Sequence, residues 1–375
     1  MEMGFADNLG PLKVIHVHVP SIGLKAVLVV DNVAKGPSIG GIRMAPDVTT
    51  GECFRLARAM TLKNAAAGLP HGGGKIVVYG DAKMPTEEKQ RLLRGLAQVL
   101  RDEQSYIFAP DMGIDEECMA WIRDEVGRVV GLPRELGGIP LDEIGATGRG
   151  LAEVVDVALE YCDFELQGAR LVVQGFGAVG KHVSRFLVER GAVLVAVADS
   201  GGAVHQPRGL DVAALTAIKE AGGSVLDYED AEKLEREAVI DIACDIWIPA
   251  ARPDVINEDN VQRLDTRLLV EGANIPCTHA AERILHERGI LVIPDFIANA
   301  GGVICAAMEY RGSSQGAALE TIEEKLRHNT RQLLESVRGG QLLPREAATR
   351  MAMQRISRAM SLRRYALFST AEHWL

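Results

Sequence analysis

The chain of 375 residues lacks the features that would place it in several specialised classes of protein. It has no long basic run, and its net charge of −10 argues against nucleic acid as a partner. No apolar stretch approaches the ~18 residues of a membrane-spanning helix, so we expect no membrane partner. The first residues have neither the basic region nor the apolar core of a secretory signal. These absences together favour a cytoplasmic protein.

Cysteine and histidine also lack any recognisable arrangement. The six cysteines are scattered over positions 53, 118, 162, 244, 277 and 305 without a Cys-x-x-Cys pair, so we expect reduced thiols in the cytoplasm. The nine histidines form no ligand pattern with them, so we expect no metal site. The content of 47% hydrophobic and 25% charged residues is ordinary for a globular protein, and the length indicates two or three domains.

Glycine, by contrast, is concentrated at two places in the first hundred residues. Three consecutive glycines at 72–74 precede Lys75, which is followed by β-favouring residues. Glycine has no Cβ, so this backbone can lie against a ligand, and a lysine at the mouth of a buried strand can act as a base. A plain glycine turn with a surface lysine is the alternative. The second place is the pair Gly40 and Gly41, for which we favour a turn over a ligand contact.

A helix is predicted between the two glycine segments. A capping-box pattern at 49–52 marks its start and Gly68 its end. The residues on its predicted apolar face are Cys53, Leu56, Met60, Lys63 and Ala67. A lysine on such a face needs an anion, or must extend from the edge to water. Because the helix ends beside the glycines at 72–74, we predict that Lys63 and Lys75 converge on a carboxylate ligand.

A third candidate residue follows a predicted strand at 106–109. The strand ends in Pro110-Asp111-Met112-Gly113, and strand ends often display functional groups. A carboxylate beside a lysine suits proton transfer, so Asp111 is a candidate catalytic residue. Alternatively, it caps the helix that begins near Asp115.

The middle of the chain has a nucleotide-binding pattern. A strand at 170–174 leads directly into Gly175-x-Gly177-x-x-Gly180, a helix follows, and the next strand ends in Asp199. This strand–helix–strand context predicts dinucleotide binding, with a glycine turn in another α/β protein as the alternative. Asp199 would accept hydrogen bonds from the adenosine ribose and repel a 2′-phosphate, which favours NAD over NADP. A basic neighbour such as Arg208 could offset this preference.

The alternation of strands and helices predicts the fold. It continues through strands at 245–249, 267–271 and 289–294, as in a parallel sheet covered on both faces. Ligands bind at the carboxyl ends of such strands, where Ala250 and Asn274 lie. We therefore predict an α/β protein of two domains. Residues 1–140 with about 325–375 form a substrate and oligomerisation domain, on which the C-terminal helices pack back, and residues 141–324 form a doubly wound Rossmann domain that binds NAD(P).

Eight segments in this order resemble signatures of the glutamate/leucine/phenylalanine/valine dehydrogenase family. They are 36–44, 60–68, 72–75, 110–113, 145–148, 175–180, 271–274 and 299–303. The resemblance extends over nearly the whole chain. It implies the reversible, NAD(P)-dependent oxidative deamination of an L-amino acid to a 2-oxo acid and ammonia. It also implies a closed homo-oligomer, a hexamer in preference to an octamer or a dimer.

The resemblance further implies roles for individual residues. Lys63 would bind the substrate α-carboxylate, Lys75 would be the catalytic lysine that activates water, and Asp111 would exchange protons with the amino group. The cofactor-binding residues, from the glycine motif and the resemblance together, are Thr147, Gly175, Phe176, Gly177, Ala178, Val179, Gly180, Asp199, Ser200, Ala250, Asn274 and Asn299. The cofactor would be NAD, with NADP as the alternative.

Two positions depart from the glutamate branch of the family. That branch has a lysine just before its Gly-Gly-x-Arg segment and a serine shortly after Ala-Gly-Gly-Val, where this chain has Ile39 and Ala306. Burying an unpaired glutamate side-chain carboxylate would cost on the order of several kcal/mol. We therefore predict an apolar substrate such as leucine, valine or phenylalanine. The predicted substrate-binding residues are Ile39, Gly40, Gly41, Met60, Lys63, Ala109, Val303 and Ala306.

Three alternatives remain. Residues 23–31 also look like the leucine branch, but Pro110 and residues 271–274 look more like the glutamate enzymes, so a glutamate dehydrogenase with a rearranged pocket is the first alternative. A catalytically silent binding paralogue is the second, and the presence of Lys63, Lys75 and Asp111 argues against it. A 2-hydroxy-acid dehydrogenase is the third, but such enzymes use a histidine–acid pair and an arginine where this chain offers lysines.

Overall fold

The computed structural model describes residues 4–338 and 342–362, which divide into two compact units. The first unit comprises 4–141, 303–318 and 349–362. The second comprises the described residues of 142–302 and 319–348. The predicted two-domain α/β architecture is confirmed.

The first unit is built on a five-stranded mixed sheet in the order β1-β2-β4-β3-β5. Its strands are β1 (Lys13–Val19), β2 (Leu24–Asn32), β3 (Ser38–Ala45), β4 (Gly72–Tyr79) and β5 (Tyr106–Pro110). Its helices are α1 (Thr50–Ala66), α2 (Thr86–Val99) and α3 (Glu116–Val126), with short 3-10 helices at Pro20–Ile22 and Arg134–Leu136. The first three strands of that order are antiparallel, and β3 is parallel to both β4 and β5.

The two faces of this sheet differ because successive side chains of a strand point to opposite sides. On one face, Cys53 and Ala57 of α1 pack against Val27, Val29 and Val77. The other face forms a larger core with α2 and α3, and its members include Leu28, Ile42, Ile76, Leu96, Phe108 and Ile122. The α1 face is the side on which the candidate catalytic residues lie, as described below.

The glycine segments are strands, so the predicted turn at Gly40 and Gly41 is wrong, and Lys75 lies within β4 rather than at its mouth. The strands approach so closely that a Cβ on Gly40 would lie 1.8 Å from the carbonyl oxygen of Gly74. A Cβ on Gly73 would lie 2.0 Å from the backbone nitrogen of Thr61 in α1. The glycines therefore permit close packing of backbone on backbone, which strand propensity does not indicate.

Because α1 packs closely on Gly73, the face of α1 that is buried differs from the predicted face. The residues that α1 buries include Cys53, Ala57, Thr61 and Asn64. Leu56, Met60 and Lys63 of the predicted apolar face are only half-buried. Small side chains face the sheet because the helix and strand backbones nearly touch. The predicted N-cap is confirmed, since the Thr49 side chain accepts a hydrogen bond from the Glu52 amide at 3.1 Å.

The second unit contains a seven-stranded sheet in the order β12-β11-β10-β6-β7-β8-β9. The strands are β6 (Arg170–Gln174), β7 (Val193–Ala198), β8 (Ala203–His205), β9 (Glu232–Leu234), β10 (Ile246–Pro249), β11 (Leu268–Val270) and β12 (Leu291–Ile293). The five strands from β12 to β7 are parallel, as predicted. The antiparallel edge strands β8 and β9 were not predicted, because each has only three residues.

The remaining helices surround this sheet or return to the first unit. They are α4 (Ala146–Leu159), α5 (Ala178–Glu189), α6 (Val212–Glu220), α7 (His279–Glu287), α8 (Asp295–Ala298), α9 (Gly301–Tyr310), α10 (Gln315–Val337) and α11 (Pro344–Leu362). Short 3-10 helices lie at Val225–Asp227, Arg236–Asp241 and Val261–Arg263.

The C-terminal helices are divided between the two units, whereas the sequence assigned everything after about 325 to the first domain. Most of α10 belongs to the second unit, where Arg327 forms an ion pair with Glu153 at 2.7 Å. From 349 onward α11 belongs to the first unit, and its Arg355 donates to the carbonyl oxygen of Ala66 at the end of α1, at 2.6 Å. A charged helix alone does not indicate which partner it meets. The predicted helical segment after 362 lies outside the described residues.

Three further observations concern residues 4–338 and 342–362. No helix within them is long and apolar enough to cross a membrane. No group of three or more histidine, cysteine, aspartate or glutamate side chains there is arranged to hold a metal ion. All six cysteines are within these ranges; each is a free thiol, and five of them are buried.

Candidate active site

Lys75 and Asp111 form a close ion pair in the first unit. The Nζ atom of Lys75 lies 2.6 Å from Oδ2 of Asp111. The lysine side chain is 7% exposed and the aspartate side chain 26% exposed, so the pair is largely removed from water but still reachable. Asp111 does not cap α3, because Asp115 occupies that position and accepts from the Cys118 amide. The structure thus brings together the two residues predicted to be catalytic.

Gly41 makes this ion pair possible. Lys75 lies on β4 and Asp111 just after β5, while Gly41 lies on β3 between them. Neighbouring strands are about 4.8 Å apart, so the lysine must cross the width of β3 to reach its partner. A Cβ on Gly41 would lie 2.6 Å from the Cβ of Asp111 and 3.1 Å from Nζ of Lys75.

The substitution Gly41→Ala is therefore expected to lower kcat/KM by about 100-fold, because a displacement of about 1 Å at reacting groups costs roughly that much. Steady-state kinetics measure the effect. Gly51→Ala is the matched control, since the nearest atom to a Cβ there is 3.6 Å away. Wild-type activity in the Gly41 variant would contradict this account of the pair.

Arg43 completes the cluster and was missed by the sequence analysis. Its Nε donates to Oδ2 of Asp111 at 3.0 Å, and its Nη1 lies 2.6 Å from Glu52. Burial alone would raise the pKa of Asp111, but the neighbouring cations of Lys75 and Arg43 outweigh it and lower that pKa, so the carboxylate is ionised. Alternation along a strand places position 43 on the same face as Gly41, a signal lost when the segment was taken for a turn.

The predicted substrate-binding residues lie in the same unit as this pair. Ile39 is aligned with Gly73 on β4, and Gly41 with Ala109 on β5. By strand alternation, Ile39 and Ala109 therefore share the face of Gly41 and Lys75. Gly40 points the other way, and its carbonyl oxygen accepts a 2.5 Å hydrogen bond from the Tyr106 hydroxyl. The half-buried members of the predicted set on helices are Met60 and Lys63 of α1 and Val303 and Ala306 of α9.

Glu309 anchors the helix on which Val303 and Ala306 lie. Its Oε1 accepts hydrogen bonds from the amides of Gly131 at 2.8 Å and Leu132 at 3.1 Å, and its Oε2 accepts from Ile139 at 3.0 Å. A carboxylate that accepts several backbone hydrogen bonds holds both segments firmly. No local sequence pattern indicates this role, because the partners are 170 to 178 residues away along the chain.

The glycine motif of the second unit fits a dinucleotide. Gly175 has a φ of +104°, and a Cβ there would lie 2.8 Å from the Ala250 carbonyl oxygen. A Cβ on Gly180 would lie 1.8 Å from the oxygen of Gly175. Gly177 is the N-cap residue of α5 and has no side chain to cap the first amides of the helix. A Cβ at this position would meet nothing within 4 Å. The first turn of α5, with Ala178 and Val179, therefore opens onto space in which a diphosphate can meet backbone N–H groups.

A cavity of about 640 Å³ lies beside this motif, a size typical of cofactor sites. The predicted cofactor-binding residues that line it are Gly175, Phe176, Gly177, Asp199, Ser200 and Ala250. Lys219 of α6 also lines it, and its Nζ lies 2.6 Å from Oδ2 of Asp199. The pKa of Asp199 is lowered, because hydrogen bonds from Lys219 and from backbone amides outweigh the effect of burial. Arg208, which the sequence suggested as the offsetting cation, is exposed and does not line the cavity.

The other predicted cofactor residues lie elsewhere in the second unit. Thr147 is the second residue of α4, whose N-cap is Gly145. Asn299 is buried, and its Nδ2 donates to the Ala273 carbonyl and to the Asn274 side chain, both at 3.1 Å. Asn299 thus holds the loop that displays the exposed Asn274.

A buried ionic cluster, which the sequence did not reveal, supports the same loop. Arg345 of α11 contacts Glu271 at 2.7 Å, Glu282 at 2.5 Å and Asp295 at 2.8 Å. Asp295 in turn accepts a hydrogen bond from the Ile275 amide at 2.9 Å. The Arg345 guanidinium therefore connects Glu271, at the start of the 271–275 loop, to Glu282 of α7 and Asp295 of α8. Asp295 holds Ile275 at the other end of the loop.

A Rossmann unit with a dinucleotide cavity, together with a lysine–carboxylate pair in the other unit, defines a nicotinamide-dependent dehydrogenase. Two family models match the chain. Residues 137–364 match "Glutamate/Leucine/Phenylalanine/Valine dehydrogenase" and residues 11–128 match the "Glu/Leu/Phe/Val dehydrogenase, dimerisation domain". The chain belongs to the glutamate/leucine/phenylalanine/valine dehydrogenase family. It is an amino acid dehydrogenase that acts on a CH–NH2 group with NAD or NADP as acceptor, as the resemblance implied.

Individual proteins show the same relationship. A glutamate dehydrogenase of Aeropyrum pernix is 37% identical over 356 residues, which cover 88% of this chain and 85% of that protein. The hetero-hexameric glutamate dehydrogenase of Thermus thermophilus, solved in a leucine-bound form, has a TM-score of 0.84 and 31% identity, covering 95% of this chain and 90% of that one. The L-tryptophan dehydrogenase of Nostoc punctiforme has a TM-score of 0.74 at 24% identity, covering 94% and 97%, so it shares the fold.

Proposed function

We propose that this dehydrogenase deaminates L-amino acids with apolar side chains, of the leucine, valine or phenylalanine type, to the 2-oxo acid and ammonia. The observation that supports this choice is Ile39, an apolar side chain on the face of the sheet that holds Lys75 and Asp111. The nearby cation Arg43 is already paired with Asp111 and Glu52. A glutamate side-chain carboxylate at this place would compete with both carboxylates for one guanidinium.

The ion pair suggests how protons move during the reaction. Nicotinamide, when bound, would supply the acceptor for the hydride of the substrate Cα. Lys63 binds the α-carboxylate. Lys75 first gives its ammonium proton to Asp111 and, once neutral, takes a proton from the water that attacks the imine carbon of the oxidised substrate. Nζ of Lys75 and Oδ2 of Asp111 are within one hydrogen bond, so the proton can pass to Asp111 and on to the departing ammonia. Expulsion of water from the site would strengthen these interactions.

The substrate proposal predicts the outcome of a direct comparison. NAD reduction at alkaline pH is measured with leucine, phenylalanine, valine, tryptophan and glutamate under identical conditions. We expect the highest kcat/KM with one of the apolar amino acids, and at least about tenfold less with glutamate, since burial of an unpaired charge costs more than 1.4 kcal/mol. Repeating the series with NADP separates substrate choice from cofactor choice.

Glutamate is the second candidate substrate, because the relatives at 34–40% identity are named glutamate dehydrogenases. Pro110 and the 271–274 segment also favour it. A preference for glutamate in the same assay would overturn the pocket argument from Ile39 and Ala306, while leaving the roles of Lys75 and Asp111 intact.

We also propose a homo-oligomer, a hexamer in preference to other sizes, in a cytoplasmic setting. The family model for residues 11–128 is described as a dimerisation domain, and the Thermus thermophilus relative is described as hetero-hexameric. The six free thiols suit a reducing compartment. Sedimentation equilibrium of the purified chain would measure the subunit count.

A further inference from the structure

Two residues of the second unit have a backbone conformation that side chains rarely adopt. Among residues 4–338 and 342–362, the non-glycine residues with a positive φ are Asp254, at +54°, and Ile275, at +49°. Aspartate tolerates this left-handed region, whereas a β-branched residue such as isoleucine is strained in it. The two residues are in direct contact, because the Asp254 amide donates a hydrogen bond to the Ile275 carbonyl oxygen at 2.9 Å. Both therefore lie at one junction between the loops that follow β10 and β11.

Hydrogen bonds on both sides hold Ile275 in this conformation. Its own amide donates to Oδ2 of Asp295 at 2.9 Å. Just after it, the Ile256 amide donates to the Pro276 carbonyl oxygen at 3.0 Å, and the Thr278 amide donates to the Ile256 carbonyl oxygen at 3.0 Å. A change of Ile275 to a negative φ would disturb these bonds, so the surrounding fold maintains the strain.

The side chain of Ile275 contributes little to the core of the second unit. It is 53% exposed, although the next two residues, Pro276 and Cys277, are buried. Glycine or asparagine would adopt the same φ at much lower cost, and neither would expose an apolar side chain. Strained residues are concentrated at ligand sites, where a contact with the ligand compensates for the strain. The combination of strain and exposure therefore points to a ligand contact at Ile275.

The position of Ile275 on the sheet indicates which part of the dinucleotide it can meet. The strand order places β6 between β7 and β10, with β11 on the far side of β10. The cavity beside the glycine motif is lined by Asp199 and Ser200, which follow β7, and Ile275 does not line it. With adenosine in this cavity and the diphosphate at the motif after β6, the nicotinamide half extends in the opposite direction. The end of β11 is about 10 Å from β6 in that direction, across two strand spacings.

We propose that Ile275 is a binding residue for the nicotinamide half of the cofactor, and that its side chain gives the nicotinamide ring an apolar contact. The inference rests on the proposed binding of the dinucleotide at the glycine motif. The contact with the bound ring compensates for the strain that the isoleucine causes in the free protein. Nothing in the sequence indicates this role, because the positive φ of Ile275 results from the packing of two loops.

Titration of the full chain with NADH and with ADP-ribose tests this proposal without any amino acid substrate, because ADP-ribose lacks the nicotinamide ring. In Ile275→Asn the affinity for NADH should fall by about three- to tenfold, the loss expected when half of an isoleucine side chain is no longer buried. The affinity for ADP-ribose should stay within about twofold of wild type. The midpoint of thermal unfolding of the same variant should rise by about 2–4 °C, because asparagine tolerates the left-handed conformation.

Ile275→Val keeps a β-branched apolar side chain and should retain the wild-type affinity for NADH and the wild-type unfolding midpoint. Leu136→Asn is the matched control for loss of an exposed apolar side chain, because Leu136 is 54% exposed and lies in the first unit.

Wild-type affinity for NADH in Ile275→Asn would overturn the proposal. So would an equal loss of affinity for both ligands, which would mean that residue 275 only shapes the loop. A lower unfolding midpoint in Ile275→Asn would also overturn it, because isoleucine would then be the favoured residue at this position. Failure of ADP-ribose to bind wild type would instead refute the nucleotide site of the proposed function.

Discussion

Replacing Lys75 with alanine is expected to lower kcat for amino acid oxidation by about 10²- to 10⁴-fold, the usual contribution of a positioned acid–base group. The lysine is the buried cation in contact with Asp111, and its Nζ is the only atom of that side chain that can exchange a proton. Removing it leaves water at the imine step without an adjacent base. Stopped-flow measurement of NADH formation would separate this chemical step from product release.

The fold should survive this change, because Arg43 still pairs with Asp111 at 3.0 Å. Nucleotide affinity, which depends on the second unit, serves as a check on folding. Lys83→Ala, at an exposed lysine of the same unit, is the matched control and should keep wild-type kcat. A Lys75→Ala enzyme within about tenfold of wild type would remove Lys75 from the catalytic role.

Replacing Arg345 with methionine is expected to lower the free energy of unfolding by about 3–5 kcal/mol, the typical cost of breaking a buried ion pair on one side. Arg345 is in contact with Glu271, Glu282 and Asp295, whose side chains are 0%, 6% and 8% exposed. Methionine fills similar volume but leaves three carboxyl groups without their cation. Because this cluster holds the 271–275 loop, dinucleotide affinity should fall as well.

The loss of unfolding free energy in Arg345→Met should also depend on pH, and the ionisation of Glu271 determines the direction of this dependence. Burial raises the pKa of Glu271 from its ordinary 4.5 to about 8, although Arg345 opposes this effect. The unfolded chain therefore loses this proton near pH 4.5 and the folded chain only near pH 8, so the contribution of Glu271 to stability falls as pH rises through that window. Without Arg345, the ionised form of Glu271 is even less favourable in the folded protein than it is in wild type. The variant should therefore lose more stability at pH 8.5 than at pH 5.5.

Urea denaturation of wild type and variant at both pH values measures this difference. Arg350→Met is the control, since Arg350 lies on the same helix but is exposed, and it should change stability by less than about 0.5 kcal/mol. Two outcomes would show that the ion pairs of this cluster contribute little to stability. One is an equal loss of unfolding free energy in Arg345→Met and Arg350→Met, and the other is an Arg345→Met loss that does not vary with pH.

The features predicted correctly from the sequence depend on patterns within a few dozen residues. The strand, the Gly175-x-Gly177-x-x-Gly180 motif and helix α5 occur in order along the chain, and the structure confirms this unit and the parallel sheet that follows. Family membership was likewise apparent from short segments in a fixed order, and it is confirmed. The substrate pocket and the specific roles of its residues stay predictions.

The errors occur where packing outweighs local preference. Gly40, Gly41 and the glycines of 72–74 looked like turns because glycine has low strand propensity, yet they lie in adjacent strands whose backbones nearly touch. The apolar face of α1 was misplaced for the same reason, because a helix packed on glycine buries its small residues.

By itself, the sequence determined the fold class, the family and the identity of the dinucleotide motif, because these depend on local order along the chain. Only the tertiary structure decided which side chains neutralise one another. Lys219 meets Asp199 across 20 residues and Arg345 meets Glu271 across 74. Such pairs depend on how whole elements pack, and a charged residue on a helix shows no local sign of the partner that it will meet.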